Sequence, residues 1–176
     1  DVISPEREKE ILEKIQERNP QVTAPDLHKL ITELNSFFLR SLPQERLTLA
    51  LDMFFRAKSR DNCQYEVRYN ENWEEKKDTP SLQIVFAWRN VPKYSFLYRM
   101  ARMIHRHGLM MKRVNATYVD AYSRQNSLIM SLGLHGIQGE AAWEEANIDD
   151  FLRELVTLKY FEGLEIIEER FVDNGL

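Results

Sequence analysis

Cysteine occurs once in the 176 residues, at Cys63. A lone thiol cannot close an internal disulfide, and it excludes the cysteine pairs from which most structural zinc sites are built. Its flanks, Asn62 and Gln64, suggest an inert thiol at a strand edge, in keeping with a reducing, cytoplasmic setting. Glycine and proline number only six each, and the chain has no repeat or low-complexity tract. No apolar run approaches the roughly 18 residues of a membrane span, and no charged segment followed by an apolar stretch opens the chain as a leader would. Gly-x-Gly-x-x-Gly is missing too. The only glycine cluster, Gly133, Gly136 and Gly139, is spaced by three and reads as a strand exit with positive φ, not as a pyrophosphate loop. The four histidines are His28, His105, His107 and His135. Positions two apart on a helix face different ways, so His105 and His107 cannot share a metal there.

What is present suffices for a packed core: 43% of the residues are apolar, and the length suits one domain of ordinary size. The chain opens on Asp1 and not Met, and the expectation is a portion of something longer. The net charge of -4 hides an asymmetry. From Thr79 to Val119 there is no acidic residue, while Arg89, Lys93, Arg99, Arg102, Arg106, Lys112 and Arg113 give +7, leaving -11 for the remainder.

The first 60 residues read as a helical lead-in, and residues 61–176 as an α/β sandwich. Ser4-Pro5 starts one helix and Asn19-Pro20 stops it. Thr23, Pro25 and Asp26 start a second, whose apolar residues recur from Leu27 to Phe38 at three and four. A third carries Leu47, Ala50, Leu51, Phe54 and Phe55. At Cys63 the period falls to two, with Tyr65, Val67 and Tyr69 in a half-buried strand. After an acidic loop around Trp73, Leu82 to Trp88 is nearly all apolar, as for a strand covered on both faces or central in a sheet. Val91-Pro92 ends it. Lys93 to His107 is helical, closed by Gly108. Leu109 to Val119 and Leu128 to Leu134 are strands about a polar turn. A helix follows the Asn147-Ile148-Asp149 start signal. The segment 165–172 is either a last helix or a strand.

Residues 81–134 therefore spell β-α-β-β, and the helix after them extends this to five elements of a ferredoxin-like sandwich. The sixth, a strand, comes either from residues 64–69 or from 165–172. The fold class expected is α+β: an antiparallel sheet of about four strands with helices on one face, preceded by an N-terminal helical segment.

The carboxylates Glu140, Glu144, Glu145, Asp149, Asp150, Glu165, Glu168 and Glu169 fit solvated helix faces better than acid-base pairs, which need burial. Trp73 and Trp143 fit core or inter-domain packing. Arg99, Arg102 and Arg106 fall at i, i+3 and i+7 as a stripe opposite the apolar face. It has three readings: nucleic acid, an anionic effector or neighbouring domain, or a solvated face answered by acidic helices. Nucleic acid is the least favoured, because Leu128 to Leu134 offers no aromatic on which a base could stack. Contacts within the chain or between subunits are favoured.

Ile84-Val85-Phe86, Asn90-Val91-Pro92, Phe96-Leu97, Ala101-Arg102, Ile104 and His107-Gly108-Leu109 together resemble the ACT-like fold of amino-acid-sensing regulatory modules. In such modules the loop after the first strand meets the ligand and often holds glycine. Here it is Arg89, Asn90, Val91, Pro92 and Lys93, with none. If a carboxylate binds, this loop and the following helix start are where the resemblance puts it.

A second resemblance spans residues 40–162. Leu49 to Ala57, Asn62 to Arg68, Val91 to Arg99 and Phe151 to Val156 look like the region upstream of the catalytic core in large NAD-dependent glutamate dehydrogenases. Those oxidise glutamate to 2-oxoglutarate and ammonia, with NAD bound in a separate dehydrogenase domain. The resemblance implies a cytoplasmic protein of amino-acid metabolism. In it this chain is non-catalytic, holds no cofactor of its own, and contacts other domains or subunits, with an amino-acid effector as a further implied partner. No catalytic residue is assigned. The alternatives are a stand-alone ACT-like sensing module and an RNA-binding ferredoxin-like domain using the basic segment 89–113.

Overall fold

The computed structural model describes residues 3–60, 63–69, 82–92, 95–120, 125–138 and 147–160. Trp73, Lys93, Gly139, Trp143, the glutamates at 140, 144, 145, 165, 168 and 169, and the segment 165–172 lie outside them.

The chain is α+β. Its N-terminal helices are α1 (Pro5–Arg18), α2 (Ala24–Glu33), α3 (Ser36–Ser41) and α4 (Gln44–Arg60). Strands β1 (Gln64–Tyr69) and β2 (Leu82–Arg89) follow. Then come α5 (Phe96–Arg106), β3 (Leu109–Val119), β4 (Ser127–Gly136), α6 (Ile148–Thr157) and a 3-10 turn (Leu158–Tyr160). The start signals act as side-chain caps. Ser4 accepts from the Arg7 N–H, Thr23 and Asp26 form a reciprocal capping box, and Asn147 accepts from the Asp150 N–H. Gly108 has φ +73°, the left-handed value a helix exit asks for. One helix expected from Thr23 to Phe38 is two. The helical period of its apolar residues continues, but Asn35 turns extended and caps a new helix by accepting from the Phe37 and Phe38 N–H groups.

The strand order is β1-β2-β4-β3, with every neighbouring pair antiparallel. β2 and β3 are thus parallel, with β4 between them and α5 crossing over, a split β-α-β unit. β1 lies beside β2, where a ferredoxin-like sheet would place its last strand. The strand at 64–69 therefore fills that position from the N-terminal side.

The sheet is covered on both faces. Leu82, Ile84, Phe86 and Trp88 of β2 meet Met100, Met103 and Ile104 of α5 and Phe151 and Leu155 of α6. Val85, Ala87, Ile129 and Val119 share a second core with Leu47, Ala50, Leu51 and Phe54 of α4 and Ile11 and Ile15 of α1. α5 and α6 lie on one face, as expected, and the lead-in helices pack on the other. This is why β2 is an unbroken apolar run: seven of its eight residues are buried. Arg18 of α1 bridges the two parts through Asp52 of α4 at 3.8 Å and Glu66 of β1 at 3.4 Å. Burial pushes the Asp52 carboxyl up, against the pull of Arg56, Asn19 and Arg18.

Candidate binding site at the end of the sheet

The loop after β2 was the expected effector site, and its backbone is already engaged. Asn126, just ahead of β4 and 3% exposed, closes it. Its side-chain carbonyl accepts from the Val91 N–H at 2.8 Å, its amide donates to the Val91 carbonyl at 3.1 Å, and its own carbonyl accepts from the Asn90 N–H at 2.7 Å. Asn90 takes a left-handed φ of 58° in doing so. The groups that would face a carboxylate are thus spent on an asparagine 35 residues downstream. In the sequence Asn126 closes a polar connection that begins at Asp120, and nothing local marks a partner so far along the chain. Pro92 follows the clamp, and Lys93 lies outside the described residues.

Arg89 points the other way. Its guanidinium donates to the Lys58 carbonyl at the end of α4, at 2.8 Å. It lines a cleft of about 310 Å³ where α2 and α4 meet the sheet end. Phe54 and Phe55 form an apolar wall, stacked edge to face at 5.3 Å, and Lys29, Glu33 and Asp120 contribute both signs of charge. The cleft needs the lead-in helices, so the sandwich alone would not make it.

The arginine stripe is divided by the structure. Arg99 is 3% exposed, not opposite the apolar face: it donates to the Leu158 carbonyl and lies 5.8 Å from the Phe96 ring centroid. Arg106 donates to Glu154 at 2.6 Å, and the His107 ring contacts the other oxygen of the same carboxylate. Arg102 is exposed, its guanidinium 5.8 Å from the Tyr98 ring centroid. Two of the three arginines thus tie α5 to α6 and its following turn. The third reading of the stripe, charge answered within the chain, describes Arg106 and Glu154.

Burial pulls the Glu154 carboxyl upward, but hydrogen bonds from His107 and Arg106 outweigh it and hold the group below the usual value. A lowered folded-state pKa stabilises above the ordinary carboxylate value, and that gain disappears as the pH falls through the folded one. Glu154→Gln is therefore expected to lose about 1 kcal/mol at neutral pH, a melting shift of a few degrees. Thermal unfolding at pH 7 and pH 3 checks this. The gap between variant and parent chain should narrow from pH 7 to pH 3, and a gap independent of pH refutes the carboxylate's role.

Gly133 and Gly136 lie within β4. Gly133 is not a positive-φ strand exit, as expected from its spacing. It pairs with Gln83 across the sheet, and an added Cβ would come within 3.2 Å of the Gln83 side-chain oxygen. Cys63 is buried. His28 pairs with Glu8 at 3.0 Å, and the His135 ring contacts the Gly136 carbonyl at 2.7 Å. Among the described residues no cluster of His, Cys, Asp or Glu could hold a metal ion, and no helix is long and apolar enough to cross a membrane.

Compared with family models, curated proteins and solved structures, the chain matches none.

Proposed function

We propose that this chain is a non-catalytic assembly portion of a large NAD-dependent glutamate dehydrogenase. The observation that carries the reading is where the four resembling segments fall. Of their described residues, Leu49 to Ala57 is the middle of α4, Gln64 to Arg68 lies in β1, Phe96 to Arg99 opens α5, and Phe151 to Val156 lies in α6. All four build the framework around one sheet, as a shared scaffold would. The clamped loop favours scaffold over sensor at residues 89–92. The parent reaction, its NAD and the contacts to other domains or subunits follow from the same resemblance, as does a place in the cytoplasm.

The test is the full-length parent protein, assayed for glutamate-dependent NADH formation and sized by light scattering. Expected are dehydrogenase activity in the parent and loss of its native oligomer when residues 1–176 are deleted. A parent without that activity refutes the enzyme family, and an unchanged oligomer refutes the assembly role.

One observation favours a sensing role: the cleft at Arg89, with both signs of charge beside an aromatic wall, suits a zwitterionic amino acid. Calorimetry with the common amino acids should then give binding that Arg89→Gln abolishes. No heat from any of them removes this reading.

A further inference from the structure

Leu97, Met110, Met111, Val114 and Ile137 are each between 37% and 44% exposed. Met110, Met111 and Val114 belong to β3, with Met110 on the sheet face opposite Met111 and Val114. β3 is the last strand of the sheet, and among the described residues it pairs with β4 alone. Ile137 joins its start through an N–H that donates to the Gly108 carbonyl at 3.2 Å. Leu97 lies on the flank of α5 opposite Arg99 and Arg106, away from α6, by helical spacing. A register shift between Met111 and Arg113 assembles the patch. Three residues apart on a regular strand, Met111 and Val114 would face opposite sides. The bulge at Lys112 instead pairs them with Leu134 and Leu132, both of the core on the α5 face. Lys112 and Arg113 are exposed on this strand, within the segment that has no acidic residue.

We infer that the β3 margin docks an extended protein segment bearing acidic and apolar side chains in alternation. Alternation suits a strand laid along an edge, with one side-chain set on Met111, Val114 and Leu97 and the other in reach of Lys112 and Arg113. Complementary charge selects the occupant. A second copy pairing along the same edge would bring Lys112 and Arg113 against their own kind, and a bulge with an edge lysine is a known guard against indiscriminate pairing. The inference deepens the assembly reading by naming its surface, and rests on that reading only in supposing a protein partner.

The probe is a capped octapeptide of alternating glutamate and valine, titrated into the isotope-labelled 176-residue chain at low salt and followed by amide NMR. Expected are shifts along 109–119 and at Leu97, fading with added salt. Val114→Glu should weaken binding about ten-fold or more, and Lys112→Glu, which leaves Arg113 in place, should remove the preference for the glutamate peptide over a lysine-valine one. Both substitutions are at exposed positions, and a thermal melt of each variant verifies folding. Shifts elsewhere, equal binding of the lysine peptide, or no binding overturn the proposal. So does a dimer of the chain dissolved by Val114→Glu, which would give the face to a second copy. None of these results touches the parent enzyme's activity or size, so the two proposals fail separately.

Discussion

Replacing Trp88 by alanine should cost about 4 kcal/mol, a large part of the 5–15 kcal/mol that holds a typical domain together. Trp88 is fully buried on β2, and its ring sits edge to face with Phe86 at 4.3 Å and with Phe96 at 5.0 Å. It therefore joins the sheet to the first turn of α5, and removing it opens a cavity between two layers that are fixed by their other contacts. The melting temperature should fall by about 10 °C. Trp88→Phe separates volume from polarity. The indole N–H has no hydrogen-bond acceptor among the described residues. Phenylalanine leaves a smaller void and also removes an unpaired donor, so it should cost about 1 kcal/mol or less. Denaturant unfolding of both variants decides the matter. A loss under about 1 kcal/mol for alanine would show that the site collapses around the missing ring.

Asn126→Ala should cost about 2–4 kcal/mol, because it strands a buried N–H and a buried carbonyl of Val91 together. The effect should also be local. Amide hydrogen exchange at Val91 should speed up well beyond the change in global stability, while the strand amides of β2 and β4 follow the global value. Asn126→Asp keeps the acceptor for the Val91 N–H but sets an oxygen against the Val91 carbonyl, so it should not rescue the alanine variant. Unchanged exchange at Val91 in Asn126→Ala would mean that the loop keeps its shape without the clamp. Loss of the clamp would also expose the backbone groups that the ACT-like resemblance assigns to a ligand. The variant is thus a direct check on whether Asn126 keeps this loop from binding carboxylates.

Much of the fold was legible because its signals are local. The sequence pattern gives the strand Leu109–Val119 with its observed bounds, marks β2 as covered on both faces or central in a sheet, and places the Thr23 and Asn147 caps from their side chains alone. The misreadings have a common cause. Arg99 has the spacing of an exposed stripe, yet it is buried because the Leu158 carbonyl, 59 residues on, supplies an acceptor. Asn126 reads as turn chemistry, yet its partners belong to the loop after β2. Nothing in the sequence singles out Glu154, yet it receives both Arg106 and His107. In each, the deciding partner is remote in sequence, and no periodicity reports it.

The sequence by itself determined the order and type of the elements, the break between α2 and α3 at Asn35 excepted, since periods of two and of 3.6 and the capping residues act within a few positions. It also carried the basic segment and the lack of acidic residues from Thr79 to Val119. Only the tertiary structure decided that β1 takes the place beside β2, that α1 and α4 cover the second face, and that the bulge at Lys112 turns Met111 and Val114 to one side. Those outcomes depend on which apolar faces meet and which buried polar groups find partners, and both are fixed when distant segments pack together.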